Sequence, residues 1–404
     1  MRTPTTGDEA SEPRLPALVF GKNNTALGAL RSLAGHGVPT LVAEETGDLI
    51  SRSRLYARPP RTLRETSDST VLAAYLDDLP IERAVLIPGA DGWAGAISGL
   101  PARLAERFPA SVPPHTATDR LLEKSRFREL VEELGIPHPR TRTLRTLDDL
   151  DGLDELMLAG AFLKPTESQR HNAAFGTKGL FVQTLEAARR RVGEGAAAGI
   201  TFMLQEWIPG GMGNTVLLDG FIDRTGTIRA MTARRRLRMN PQRLGNTTAA
   251  VTIPMSEVAP AAEALRTVLA AVGYRGVFNA EFKLDDRDGT FRIIEVNPRP
   301  AWYSGSLRGA GVDLIWMSYL DALGLPVPTV ARYRLGRYGV CETPDAISIV
   351  RTLAARERPP GPILRPWLTG DHVLFAWSDP APFLADLARS ARGFLRARRA
   401  AAAA

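Results

Sequence analysis

The chain has 404 residues, of which 44% are apolar and 24% charged, so it can form two or three packed domains and is not disordered as a whole. Its net charge of +7 comes mainly from arginine, because only five of the 51 basic residues are lysines. No basic run is interleaved with aromatic residues in the way that nucleic-acid stacking surfaces require, so we expect no nucleic-acid partner.

The cysteine and histidine content excludes two further classes of protein. A single cysteine, Cys341, rules out an internal disulfide framework, and the five scattered histidines argue against a histidine-based metal site. No apolar run approaches the roughly 18–20 residues that span a bilayer. Residues 1–14 are polar and are predicted to be a flexible leader rather than a signal peptide. We therefore expect a cytoplasmic protein with no membrane partner.

The first predicted domain, residues 15–115, alternates strands and helices. The apolar run 15–20 predicts a buried parallel strand, and the leucines that follow at helical spacing predict a helix that ends near Gly35. Further strands are predicted at 38–43 and 84–88. This order indicates a Rossmann-like α/β domain. The glycine spacing does not match the dinucleotide fingerprint, so we expect no dinucleotide there.

The rest of the chain is predicted to form a second domain over 116–327 and a C-terminal extension over 328–404. The second domain opens with a helix that carries Lys124 and stops at Gly135, and its later part is rich in strands. The extension mixes proline-rich connections with a basic helix over 384–399, which we expect to pack on the body with its charged face in solvent; binding of this helix to a membrane surface is the alternative.

The most informative stretch is 277–299, in which polar and apolar residues alternate with period two. Asn279, Glu281 and Lys283 share one face of the predicted strand. A hairpin closed by a three-residue loop at 287–289 would pair Glu281 with Glu295 and Asn279 with Asn297.

Two carboxylates directly opposite each other destabilise a sheet unless a cation lies between them. Mg²⁺, with Mn²⁺ as an alternative, prefers such carboxylate and amide oxygens, so Glu281, Glu295 and Asn297 are the predicted metal ligands. The competing interpretation is an amphipathic hairpin whose polar face only meets solvent, and a register slip of one residue would also remove the site.

Candidate nucleotide-binding segments lie upstream of this hairpin. Lys164 ends a predicted strand, and a loop to Gly176-Thr177-Lys178-Gly179 leads into another predicted strand at 180–183; such a loop can close over phosphates. Residues 202–211 predict a strand that runs into Gln205-Glu206 and a glycine turn. That segment can contact an adenosine, although it is equally typical of a connection between domains.

Taken together, these segments resemble the ATP-grasp superfamily over about residues 15–325, and within it the carboxylate–amine ligases that include D-alanine and D-aspartate ligases. The resemblance implies a Rossmann-like domain followed by two α+β subdomains that clasp ATP. The motif residues in their family order are Lys124, Lys164, the loop to Gly179, Gln205-Glu206-Trp207-Ile208, Glu281, and Glu295-Val296-Asn297-Pro298-Arg299.

The resemblance also implies roles for these residues. Lys124, Lys164 and Lys178 would contact phosphates, with Gly179 in the covering loop, while Gln205, Glu206, Trp207, Ile208 and Asn214 would surround the adenosine. Arg299 and Lys283 would act at the transferring phosphoryl group. The arginines of 234–238 are further phosphate candidates among which the sequence does not choose. Asn279 replaces an arginine of D-alanine ligases.

The implied activity is ATP-dependent amide formation between a carboxylic acid and an amine, with amino acids as the expected substrates and an acyl phosphate as the intermediate. A phosphotransferase acting on a hydroxyl, or a nucleotide-binding regulatory protein, are the alternatives. Ser51-Arg52, Asp91 and Ser304-Gly305-Ser306 are candidates for the substrate pockets. The resemblance leaves homodimer formation open.

Overall fold

The computed structural model describes residues 14–45, 47, 49–63, 67–153, 158, 160–165 and 179–403, with side chains up to residue 393. Helices and strands alternate at the start of the chain, strands dominate between residues 200 and 300, and helices dominate after residue 300. The twelve helices described are α1 (Asn24–Gly35), α2 (Ser69–Asp77), α3 (Asp91–Ser98), α4 (Ala102–Arg107), α5 (His115–Leu122), α6 (Lys124–Glu133), α7 (Leu185–Ala197), α8 (Ala259–Ala271), α9 (Leu314–Ala322), α10 (Glu342–Ala354), α11 (Leu364–Thr369) and α12 (Ala381–Ala403).

The strands described form three sheets. A parallel sheet of order β2-β1-β3 contains β1 (Ala17–Phe20), β2 (Thr40–Val42) and β3 (Val85–Pro88). An antiparallel sheet of order β4-β7-β5-β6 contains β4 (Thr141–Leu144), β5 (Ala161–Pro165), β6 (Leu180–Phe181) and β7 (Phe202–Glu206). The predicted strand at 180–183 is thus shorter than expected.

The third sheet has seven strands in the order β12-β11-β8-β9-β10-β13-β14. Its members are β8 (Thr215–Ile222), β9 (Ile228–Asn240), β10 (Asn246–Ile253), β11 (Gly276–Leu284), β12 (Phe291–Asn297), β13 (Tyr338–Val340) and β14 (Asp371–His372). The C-terminal extension therefore contributes two strands to the sheet that carries the predicted metal ligands.

The alternation in β11 decides which face of this sheet is buried. Phe278, Ala280 and Phe282 are fully buried and pack with Leu265 and Leu269 of α8 in one apolar core. Because successive strand residues point to opposite faces, this core leaves the polar residues of β11 on the other face.

A second core joins the start, the middle and the end of the chain. Val19 and Leu27 of the first sheet and its helix pack with Leu217 of β8 and with Cys341 and Val373 of the extension. The extension is therefore part of a shared core. No helix in the described ranges is both long enough and apolar enough to cross a bilayer.

Candidate active site

The hairpin of β11 and β12 has the register that the sequence predicts at the metal site. Glu281 lies opposite Glu295, and Asn279 lies opposite Asn297. The predicted loop is wrong, however. Asp285 pairs with Thr290, so the loop is the four residues 286–289, and a bulge at Ile294 in β12 restores the register beyond it. The longer loop shifts the strand pairing by one residue, and the bulge shifts it back. Glu281 therefore still lies opposite Glu295.

Three residues of the two polar pairs, Glu295, Asn297 and Asn279, belong to one connected network. The Asn297 amide donates to Glu295 Oε1 over 3.2 Å and to Asn279 Oδ1 over 3.3 Å. Asn279 in turn donates to Asp219 of β8 and to the Tyr303 hydroxyl, each over 2.9 Å. Asn279 therefore holds the metal-site asparagine in place.

The structure chooses among the arginines of β9. Arg234 is buried against Asp219, and Arg238 is buried against Asp345. Arg235 lies on the opposite face, where it contacts Glu257. Arg236 alone of the four donates to a predicted metal ligand: its Nη2 lies 2.6 Å from Glu281 Oε2. The sequence could not distinguish it, because the side chains of 234, 236 and 238 share one face.

Two of the predicted phosphate lysines lie together across the cavity from β12. Lys124 begins α6, where the Glu123 carboxylate caps the helix by accepting from the backbone N–H groups of Ser125 and Arg126. Lys124 Nζ donates to the carbonyl of Pro165, at the end of the strand that carries Lys164. A cavity of about 340 Å³ is bordered by Lys124, Lys164, Glu295 and Asn297.

The two lysines of this cavity lie close enough to repel each other. Burial, together with the neighbouring Lys164 ammonium, lowers the pKa of Lys124 to about 7, against the opposing effects of Glu295 and Glu123. A buried lysine of this kind gains its proton back when an anion binds beside it. The cavity is therefore suited to a polyphosphate.

Arg299 reaches a partner in the first domain. Its Nε and Nη2 donate to the two carboxylate oxygens of Asp91, the first residue of α3, over 2.7 and 2.9 Å. The side chain of Arg299 is mostly buried, and Asp91 borders the same cavity as the lysines. The sequence offered Asp91 only as a substrate-pocket candidate, because the contact spans 208 positions.

The predicted adenosine residues lie where β7 meets the hairpin loop. Burial raises the pKa of the Glu206 carboxyl, but hydrogen bonds from Arg287 and from the backbone of Arg140 outweigh that effect, so its pKa is lowered. Gln205 borders the 340 Å³ cavity. Ile208 is buried.

Trp207 and Asn214 have partners at the same place. The Lys283 ammonium lies 4.5 Å from the centre of the Trp207 ring, and burial beside Arg236 lowers the pKa of Lys283. The Asn214 amide donates to Asp286 and to the Leu284 carbonyl in the hairpin loop. Lys178 lies outside the described residues, and Gly179 borders β6.

The donor set fits Mg²⁺. Two carboxylates and one carboxamide face one another, and Arg236 engages Glu281 through Oε2 only. A hard cation takes a few such oxygens and completes its shell with phosphate and water. Within the described ranges no cluster of three His, Cys, Asp or Glu side chains occurs that could hold a metal without such additional ligands.

Comparison with known proteins supports the interpretation of the fold. No family model matches the chain. The chain is 28% identical over 243 residues to the D-aspartate ligase of Enterococcus faecium (strain Aus0004), a stretch that covers 58% of this chain and 57% of that enzyme. The chain thus spans little more than half the length of this curated relative.

Solved structures resemble most of the chain. The L-amino acid ligase of Bacillus licheniformis superposes with a TM-score of 0.55 at 14% identity, over 77% of this chain and 75% of that chain. The biotin carboxylase domain of Hydrogenobacter thermophilus 2-oxoglutarate carboxylase, solved with MgADP and bicarbonate, gives 0.61 at 16% identity, over 80% and 73%. The chain has the ATP-grasp fold, as predicted. Its sequence relative is a D-aspartate ligase.

Proposed function

We propose that the protein is an ATP-dependent carboxylate–amine ligase that forms an amide through an acyl phosphate and releases ADP and phosphate. One observation carries the proposal. Glu295 and Asn297 border the same cavity as Lys124 and Lys164, and Glu281 lies directly opposite Glu295 on the hairpin. Opposed groups of this kind, in an ATP-grasp fold, suit a metal-bound triphosphate.

The residues divide the work of binding. Lys124 and Lys164 contact the inner phosphates, and we assign Lys178 and Gly179 as further phosphate contacts. Gln205, Glu206, Trp207, Ile208 and Asn214 surround the adenosine. Glu281, Glu295 and Asn297 hold Mg²⁺, which would neutralise phosphate charge as the γ-phosphoryl group leaves.

The chemistry requires activation, because a carboxylate is a poor electrophile toward an amine. The substrate carboxylate attacks the γ-phosphorus, the bond to the β-phosphate oxygen breaks, and an acyl phosphate and ADP result. The amine then attacks the acyl carbon, phosphate leaves, and the ammonium proton is released. We assign Arg236, Arg299 and Lys283 to stabilise the negative charge that develops; Glu281 holds Arg236, Asp91 holds Arg299, and Lys283 lies over Trp207.

The substrates follow from the names of the similar proteins and from the pocket. The similar proteins include a D-aspartate ligase and an L-amino acid ligase, whose names specify amino acids as substrates. We assign an amino acid as one substrate, with Asp91 and Ser304-Gly305-Ser306 as candidate pocket residues. Since ATP is its second substrate, we place the protein in the cytoplasm.

The test begins with a screen of amino and other carboxylic acids, D- and L-aspartate first, with ATP, Mg²⁺ and hydroxylamine as a surrogate amine. We expect ADP and a hydroxamate to form together with at least one acid. ADP without hydroxamate, or a product that gains phosphate, would contradict ligation.

Glu295→Gln tests the metal site. We expect this variant to keep its fold and to lose at least about 100-fold in ADP formation, because a neutral amide no longer offsets the charge of a divalent cation. Glu263→Gln on the exposed face of α8 is the matched control, and it should turn over normally. Normal turnover by Glu295→Gln would show that the metal assignment is wrong.

A further inference from the structure

The C-terminal extension has an unusually apolar surface. Twelve large apolar side chains are exposed in the described part of the chain, and seven of them lie between residues 350 and 387. Three are almost fully in solvent: Leu364 is 73% exposed, Leu368 80% and Trp377 91%. Monomeric proteins rarely present side chains of this size so openly in one region.

Leu364, Leu368 and Trp377 belong to one surface, which we call the Trp377 patch. Leu364 and Leu368 are four residues apart on α11 and so share a side of that helix. Leu368 and Trp377 border the same groove of about 690 Å³. Edge-to-face contacts link Trp377 to Phe375 and Phe375 to Phe383, so the patch continues into the groove as an aromatic wall.

The acidic residues of the extension are turned inward. Asp345 accepts from Arg238, Asp379 from Arg31, and the Glu342 carboxylate accepts from the backbone N–H groups of Leu374 and Phe375. Asp386 is buried beside Arg389, and Asp371 is held by Arg337. Over residues 342–393 Glu357 is the one acidic side chain that is exposed.

The arginines of the extension, in contrast, point outward. Six arginines are exposed over the same residues, namely Arg351, Arg356, Arg358, Arg365, Arg389 and Arg392. Arg365 follows Leu364 on α11, and Arg308, which is 41% exposed and paired with Asp313, borders the groove. The outer surface of the extension is therefore apolar and positively charged.

Two features together decide what fits this surface. Six exposed arginines against one glutamate would repel a second copy of the same face. The most exposed apolar side chains also protrude into solvent beside Arg365, as side chains that enter a lipid interface next to basic residues do.

We propose that the Trp377 patch docks the protein on an anionic phospholipid surface. Trp377, Leu364 and Leu368 enter the interfacial layer, and Arg365 contacts lipid phosphates. This differs from the sequence-based expectation of no membrane partner, because the inward orientation of the acidic side chains cannot be read from composition. The proposal does not depend on the ligase activity.

The experiment is co-sedimentation of the full chain with vesicles of phosphatidylcholine alone and of phosphatidylcholine mixed with phosphatidylglycerol, at low and at high salt. We expect binding to the anionic vesicles at low salt and at least about a tenfold loss at high salt or on neutral vesicles. The double variant Leu368→Ser/Trp377→Ser should lose about tenfold in binding to anionic vesicles at low salt.

The controls separate this interaction from its rivals. Leu147→Ser/Leu325→Ser removes two exposed leucines elsewhere and should bind vesicles like the wild type. Equal thermal unfolding of all variants shows that folding is intact. The proposal is overturned by absence of wild-type binding to anionic vesicles, or by equal binding to neutral ones. It is also overturned if light scattering shows a dimer that Leu368→Ser/Trp377→Ser dissociates, or if poly-glutamate binds where vesicles do not.

Discussion

At the level of single residues, the cavity is bordered by two lysines whose positive charges repel each other. The pKa of Lys124 is lowered to about 7 because its ammonium is buried, and Lys164 adds repulsion. A bound triphosphate reverses that balance, since its negative charge favours the protonated lysine. Lys124 is therefore mostly neutral above pH 7 without nucleotide and charged with it.

We expect ATP binding above pH 7 to take up a proton and to weaken by up to about tenfold for each pH unit, because the free protein must first protonate Lys124. Calorimetry in two buffers of different ionisation enthalpy measures this uptake. Lys124→Arg keeps a charge that does not titrate, so the uptake should vanish. Unchanged uptake in that variant would assign it to another group.

A second residue-scale prediction concerns Arg299, whose guanidinium is oriented by Asp91. Asp91→Asn replaces one charge-assisted bond and removes the ion pair, so Arg299 loses the bidentate partner that fixes its plane. We expect kcat to fall about 10- to 100-fold while ATP affinity stays within about twofold. Steady-state kinetics with ATP titration measures both quantities. A loss confined to ATP affinity would contradict a role in orienting Arg299.

At the scale of elements, the hairpin of β11 and β12 depends on one left-handed residue. Gly289 has φ of +69° and a side chain there would meet nothing within 4 Å, so any cost of substitution comes from the backbone. Gly289→Ala should lower the free energy of unfolding by about 1 kcal/mol. Gly289→Asn should lower it less, because asparagine tolerates this conformation better. Denaturant unfolding checks the order, and equal values for both variants would contradict it.

In the molecule as a whole, the extension and the seven-stranded sheet share a buried charge cluster. Asp345 of α10 is fully buried and accepts from Arg238 and Thr248 of the sheet and from Trp367 of the extension, each bond 2.8–2.9 Å long. Arg238 is two residues from Arg236 on β9, so this cluster fixes the strand that reaches Glu281.

Asp345→Asn leaves the Arg238 charge buried without its counter-ion. We expect it to reduce the free energy of unfolding by about 3–5 kcal/mol, measured by denaturant titration. Asp151→Asn, which removes an exposed partner of Arg189, is the control and should change it by less than about 1 kcal/mol. A similarly small effect of Asp345→Asn would mean that the extension does not stabilise the sheet.

The sequence by itself determined the features that depend on local pattern. Period-two alternation fixed the faces of β11, and hairpin pairing then brought Glu281 opposite Glu295, because neighbouring strands of a hairpin are joined by a short loop. The same local pattern predicted a helix that carries Lys124 and a strand that ends at Lys164, and their order suggested the ATP-grasp resemblance. It did not predict that Glu123 divides that helix into α5 and α6. The pattern did not predict the bulge at Ile294, because polar and apolar residues alternate in the same way with or without one added residue.

Only the tertiary structure decided the partners of charged side chains. Arg234, Arg236 and Arg238 are equivalent in the sequence, but burial next to Asp219, Glu281 and Asp345 gives each a different role. Arg299 meets Asp91 at the start of α3, far away in sequence, and the acidic residues of the extension turn inward while its arginines do not. The physical reason is that the energy of a charge depends on its burial and its nearest counter-charge, and both are set by chain segments far apart in sequence.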